Sequence, residues 1–76
     1  MKELLETIAK ALVDYPQDVN VTQIDKEDGS ILLELRVAEG DMGKVIGKQG
    51  RIAKAIRSVV KAAAIRENKM VSVDIV

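Results

Sequence analysis

A cluster of glycines in the second half of the chain constrains its fold more than any other feature. Four of the five glycines lie within the eleven residues from Gly40 to Gly50. Glycine permits tight turns and close backbone approaches that side chains would block. Alternating apolar residues come directly before this cluster, and apolar residues at helical spacing follow it. The two patterns predict an α+β fold with a glycine-rich connection.

Six secondary-structure elements are predicted from the apolar periodicity and its breaks. Pro16 ends the first helix because proline has no backbone donor and its ring clashes with the preceding turn. The Asp28-Gly29 pair is typical of a hairpin. Asp41 can cap a short helix, and Asn68 favours a helix end. The predicted order is helix 3–13, strand 19–24, strand 31–37, short helix 42–46, helix 51–66 and strand 71–75. We expect a three-stranded sheet packed on one face by three helices.

The predicted long helix carries three stripes when its residues are placed at intervals of about 100°. The core-facing stripe contains Ile52, Ile56, Val59, Val60 and Ala63. The basic stripe contains Arg51, Lys54, Arg57 and Lys61. Ala55 and Ala62, beside Val59, extend the apolar arc further than one core contact requires. This surface would pack against the first helix or a second subunit, although helix propensity alone also explains the alanines.

The net charge of zero hides an asymmetry between two parts of the chain. From Met42 to Lys69 there are eight basic residues and one acid, a local charge of +7. The rest of the chain has four basic residues and eleven acids, a charge of −7. Such an asymmetry favours a polyanionic partner for the basic part. A solvated helix face with salt bridges to the acidic part is the alternative.

The loop Gly47-Lys48-Gln49-Gly50 joins the two helices of the basic part. Its glycines would let a sugar-phosphate backbone approach the main chain, and the free amides of the following helix face the same point. The residues that would hold phosphates are Lys44, Lys48 and Arg51, and those that would line a groove or fill the core are Ile46 and Ile52. A nucleotide-binding P-loop is excluded because its glycine spacing and its Ser or Thr are missing. A glycine turn without a ligand is the other interpretation.

The segment Val-Ile-Gly-Lys-Gln-Gly-Arg at 45–51, followed by Ala-Lys-Ala-Ile-Arg at 53–57, resembles the signature of the K-homology (KH) domain. The predicted element order resembles the type II arrangement, α-β-β-α-α-β. The KH unit would cover the whole chain, residues 1–76. In this respect the chain is similar to the small bacterial single-KH proteins of the KhpA family.

This resemblance implies an RNA-binding site. In KH domains the Gly-x-x-Gly loop clamps the backbone of about four nucleotides of a single strand. The residues implied in RNA binding are Lys44, Ile46, Gly47, Lys48, Gln49, Gly50, Arg51, Ile52, Lys54, Arg57 and Lys61. An edge of the sheet near Leu35 and Val37 would complete the groove. Many KH domains have a bulky apolar residue three positions after the second glycine, where this chain has Ala53.

The resemblance also implies a biological setting. Members of the KhpA family are cytoplasmic RNA-binding proteins regarded as RNA chaperones. They form homodimers, pair with the larger multidomain KH protein KhpB, and in several bacteria affect cell elongation and envelope growth. We therefore expect a cytoplasmic chain with a role in gene expression and envelope homeostasis, a KhpB-type partner, and a dimer face at Ala55, Val59 and Ala62.

Composition argues against several other classes of function. Without His or Cys there is no His general base, no Cys nucleophile and no His/Cys zinc site, so neither an enzyme nor a cofactor is expected. Tyr15 is the only aromatic residue, which excludes the base-stacking sheet of RNP-type domains. No apolar run reaches the roughly 18 residues of a membrane span, so membrane insertion is not expected. A carboxylate metal site at Asp25, Glu27 and Asp28 is less expected than a polar turn. A protein–protein adaptor with a vestigial loop is the alternative function.

Overall fold

The computed structural model describes all 76 residues and contains the six expected elements. The helices are α1 (Lys2–Leu12), α2 (Met42–Ile46) and α3 (Arg51–Arg66), and the strands are β1 (Asn20–Asp25), β2 (Ile31–Arg36) and β3 (Val71–Ile75). The predicted order and the α+β class are confirmed, with bounds that differ by no more than one residue. No helix combines the length and apolar character that crossing a membrane requires.

The three strands form one sheet in the order β1-β2-β3. β1 and β2 pair antiparallel, with Asn20 opposite Arg36. β2 and β3 pair parallel, with Ile31 opposite Val71. Two parallel neighbours need a crossover connection, and here α2, the glycine loop and α3 form it. The candidate site is therefore carried by the crossover.

The core lies between the sheet and the three helices, which all cover the same face. The buried cluster contains Leu5, Ala9, Val21, Leu33, Leu35, Val37, Val45, Ile56, Val60 and Val73. Leu35 lies in this core on the central strand β2. Val37 lies in the core just beyond the end of that strand. The expectation that they form a sheet edge beside the groove is therefore wrong, because β1 and β3 provide the edges.

The buried face of α3 is rotated relative to the predicted core stripe. Its buried residues are Ala53, Ile56, Val60 and Ala64. Val59, which the periodicity assigns to the core, keeps 49% of its surface exposed. The buried face of α3 thus contains the small side chains of Ala53 and Ala64, and Val59 lies on the side occupied by α1.

Two connections depend on local polar chemistry. Asn68 adopts a φ of 58°, and Lys69 N donates to Ala64 O at 2.9 Å, which confirms Asn68 as the end of α3. In the β1–β2 turn, Asp28 accepts hydrogen bonds from Ser30 Oγ at 2.6 Å and Ser30 N at 2.9 Å. These bonds hold the pKa of Asp28 below its usual value. The Asp28 carboxylate thus stabilises the β1–β2 turn.

Candidate nucleic-acid interface

The loop between α2 and α3 is a tight turn with three positive φ angles. They occur at Gly47 (75°), Gln49 (59°) and Gly50 (73°). Gly47 N donates to Gly43 O at 2.8 Å, and Gly50 N donates to Gly47 O at 3.2 Å. A left-handed conformation costs a non-glycine residue such as Gln49 about 1–2 kcal/mol. Such strain clusters at functional sites.

The two glycines of the loop differ in what surrounds them. A Cβ on Gly47 would stand 2.6 Å from Ile52 Cγ1 and 2.9 Å from Ile52 Cβ and Cδ1. A Cβ on Gly50 would have no atom within 4 Å. Packing within the chain therefore requires glycine at position 47. At position 50 glycine leaves open space beside the backbone, where a ligand can approach.

A basic stripe runs from the loop along the exposed side of α3. It consists of Lys48, Arg51, Lys54, Arg57 and Lys61, all exposed and none of them ion-paired with an acid of the chain. Arg51 Nη2 donates to Gln49 Oε1 at 3.3 Å, so two predicted site residues are in contact. Lys44, on α2, differs from the stripe because its Nζ lies 3.2 Å from Asp14 Oδ2. The stripe presents its charges to solvent, as an anion-binding surface requires.

A groove of about 480 Å³ lies between α3 and β3, on one flank of the basic stripe. It is lined by Arg57, Lys61, Met70, Val71, Ser72 and Val73. Arg57 Nε donates to the Val73 carbonyl oxygen at 3.1 Å, which ties the helix to the outer strand. No residue pattern in the sequence indicates that β3 forms a wall of this groove. The alternation of Val71 and Val73 predicts a strand but carries no information about strand order.

A second groove of about 480 Å³ lies between α1 and α3, and we call it the α1–α3 groove. It is lined by Leu4, Ile8, Leu12, Arg51, Ile52, Ala55, Ile56 and Val59. Ala55 and Val59 of the predicted dimer face lie in it, whereas Ala62 is exposed outside its lining. Ile52 lines this groove and Ile46 is 37% exposed. Neither isoleucine lines the groove between α3 and β3.

Asp41, at the start of α2, is the one buried charged residue of the chain, at 1% exposure. Its Oδ1 accepts a hydrogen bond from Asp14 N at 3.2 Å, and its Oδ2 accepts one from Tyr15 N at 3.0 Å. It makes no side-chain capping bond to α2, so the predicted capping role is wrong. The carboxylate instead accepts hydrogen bonds from backbone N–H groups just after α1. Because these donors lie 26 and 27 residues away in the sequence, no local pattern indicates them.

A Gly-x-x-Gly turn between two helices, in the order α-β-β-α-α-β with the last two strands parallel, defines a type II KH domain. The family model for the KH domain of KhpA and KhpB matches residues 2–75. The chain belongs to this KhpA/KhpB KH-domain family.

Curated relatives agree with this assignment over their full length. The chain is 67% identical over 76 residues to a protein of Clostridium acetobutylicum and 68% identical over 76 residues to one of Clostridium perfringens, with 100% of both chains covered. It is 58% identical to a protein of Halalkalibacterium halodurans, over 100% of this chain and 99% of the relative. All three relatives carry the name RNA-binding protein KhpA.

A solved structure shares the fold at low sequence identity. It is that of Aquifex aeolicus Era bound to GDP and AlF4⁻, with a TM-score of 0.67 and 19% identity. The match covers 97% of this chain and 28% of the Era chain. At this identity the match shows the fold alone.

Proposed function

We propose that this chain is a single KH domain, residues 1–76, that binds single-stranded RNA through the glycine loop and the basic stripe. The observation that carries the proposal is the open space at Gly50, beside five cations without acidic partners. The relatives' shared name, RNA-binding protein KhpA, supports it. No catalytic role is proposed.

In this proposal the loop holds phosphates and the stripe extends the contact. Lys48, Arg51 and the loop amides take the phosphates nearest Gly50, with Lys44 on the α2 side. Lys54, Arg57 and Lys61 continue the track along α3. Ile46 and Ile52 flank the loop on its apolar side. Because phosphate contacts fix position rather than sequence, we expect one such domain to discriminate weakly between RNA sequences.

The test is a fluorescence-anisotropy titration of short single-stranded RNA with wild type and with Lys48→Asp/Gln49→Asp. Placing two carboxylates in the loop repels phosphate, so affinity should fall by about tenfold or more. The matched control is Gln23→Asp/Lys26→Asp, which makes the same charge change in the β1–β2 hairpin, at two exposed residues outside the proposed RNA-binding set. Circular dichroism establishes that both variants are folded. Equal affinities for loop variant and control would refute the loop as the site.

Salt dependence tests the electrostatic part of the proposal separately. For single strands the slope of log K against log salt is about −0.7 per phosphate contact, through counterion release. Wild type should show a steep slope, and the loop variant a shallower one. A flat titration of wild type would contradict phosphate binding by the stripe.

We further propose that two copies of the chain associate through the α1–α3 groove. Seven of its eight lining residues are apolar, and covering them would add burial that matters because the core of a domain this small rarely supplies more than about 3–5 kcal/mol. Val59→Asp should yield monomers by light scattering, because a charge would be buried in the interface. The control Ile65→Asp alters a residue of the same helix that is 65% exposed and outside the groove. Dimers that persist in Val59→Asp would place the interface elsewhere.

A protein–protein adaptor is the second candidate function, and the same apolar groove favours it. Folded wild type that associates through the groove yet binds no RNA would support the adaptor. The RNA chaperone activity, the KhpB-type partner, the cytoplasmic location and the role in cell elongation and envelope growth stay predictions of the family resemblance.

A further inference from the structure

The chain segment just after α1 is fixed against the start of α2. Both oxygens of the buried Asp41 carboxylate accept backbone hydrogen bonds from it, from Asp14 N at 3.2 Å and Tyr15 N at 3.0 Å. Two such bonds set the position and the direction of this backbone. Asp14 therefore stands at a defined place beside α2, although its own side chain is exposed.

That position brings the Asp14 carboxylate to Lys44. Asp14 Oδ2 lies 3.2 Å from Lys44 Nζ. Lys44 is on α2, three residues before Gly47, and it is the one cation of the proposed RNA surface that is paired with an acid. The Asp14 carboxylate takes up one of the three donors of the Lys44 ammonium group and offsets its charge.

We propose that Asp14 limits the affinity of the site by competing with RNA phosphate for Lys44. The proposal rests on the proposed RNA-binding function and adds a determinant that opposes it. A phosphate that approaches Lys44 must either displace the Asp14 carboxylate or accept from another Lys44 donor beside that like charge, and both weaken the contact. While the ion pair holds, the site therefore depends mainly on the five cations of the basic stripe.

The test compares Asp14→Asn with Asp18→Asn. Asp14→Asn keeps the backbone N–H that Asp41 binds and removes only the negative charge beside Lys44. Asp18→Asn makes the same charge change four residues along, at an exposed acid with no ion pair. RNA affinity should rise about two- to fivefold in Asp14→Asn, the range expected for an exposed ion pair, and less in Asp18→Asn. The salt slope should steepen in Asp14→Asn by at most about 0.7, the value of one phosphate contact, because Asp14 then no longer opposes the contact of Lys44.

A second background isolates the role of Lys44. In Lys44→Gln, adding Asp14→Asn should raise affinity no more than adding Asp18→Asn does. The competition proposal would be wrong if Asp14→Asn still gave the larger gain in RNA affinity in this background. It would also be wrong if the two Asn variants gave equal gains in the wild-type background. If those gains are equal while Lys48→Asp/Gln49→Asp lowers affinity by about tenfold or more, the competition proposal is wrong and the RNA-binding site stands. If wild type binds no RNA, both proposals fail.

Discussion

Gly47 and Gly50 have the same side chain and φ angles within two degrees, 75° and 73°, yet the structure uses them differently. At Gly47 the volume that a Cβ would fill is occupied by atoms of Ile52. At Gly50 the corresponding volume is empty. One glycine therefore serves the packing of the chain, and the other keeps a surface clear. A Gly-x-x-Gly pattern alone does not reveal this division of roles.

The backbone at the two positions sharpens the difference. Gly47 combines its φ with a ψ of 175°, a region that essentially only glycine adopts. Gly50 has a ψ of 16°, within the left-handed helical region that other residues can enter at a cost. Substitution should therefore affect folding mainly at position 47 and binding mainly at position 50.

The largest effect is expected from Gly47→Ala. Backbone strain of about 1–3 kcal/mol and overpacking against Ile52 of about 1–3 kcal/mol add, so the free energy of unfolding should fall by about 2–6 kcal/mol. Urea denaturation measures this change. The control Gly43→Ala places a methyl group in open space on α2, and should be neutral or stabilising by up to about 1 kcal/mol. Equal stabilities for the two variants would contradict the packing role of Gly47.

Gly50→Ala should give a smaller loss of stability with a larger loss of function. The left-handed conformation costs alanine about 1–2 kcal/mol, so the domain should still fold. The added methyl group enters the space proposed for the RNA backbone, so RNA affinity should fall although every cation is retained. Anisotropy titration beside urea denaturation separates the two quantities. If folded Gly50→Ala bound RNA as tightly as wild type, the open space at Gly50 would not be where the RNA backbone approaches.

A double-mutant cycle between Gly47→Ala and Ile52→Ala tests the contact directly. Ile52→Ala removes Cγ1 and Cδ1, two of the three nearest atoms, and leaves Cβ at 2.9 Å. Relief is therefore partial, and the double variant should be about 1 kcal/mol more stable than the sum of the single effects predicts. Strict additivity would mean that the cost at Gly47 is purely one of backbone conformation.

The smallest effect is expected at Gln49, between the two glycines. Gln49→Gly removes the strain that a positive φ of 59° imposes on glutamine, about 1–2 kcal/mol. The new glycine also adds chain entropy to the unfolded state, so the free energy of unfolding should rise by a net of about 0.5–1 kcal/mol. Thermal denaturation measures it. A destabilised Gln49→Gly would show that the Arg51–Gln49 hydrogen bond at 3.3 Å outweighs the strain.

The secondary structure could be predicted because its signals are local. Pro16, Asn68 and the glycine cluster mark boundaries wherever the rest of the chain lies. The central place of β2 could not be predicted, because it depends on pairing with β3 across the whole crossover. That is why Leu35 and Val37 were expected at an edge.

The same limit applies to the site. The glycine turn and the exposed basic stripe could be predicted from residue types and spacing, and their role in RNA binding stays a prediction. The contact of Ile52 with Gly47 and the bonds from Asp14 and Tyr15 to Asp41 depend on three-dimensional packing. The exposure of Val59 depends on which face of α3 packs against the rest of the chain, which a helical period does not specify.

The hydrogen bond from Arg57 Nε to the Val73 carbonyl has a consequence for self-association. β3 is an edge strand, and unpaired backbone groups along such an edge are templates for adding strands from other molecules. The guanidinium of Arg57 occupies one of these acceptors and places a positive charge beside it. Replacing Arg57 to probe RNA binding would therefore also uncover this edge. Arg57, a charged residue of the basic stripe, thus also shields this edge from pairing with strands of other molecules.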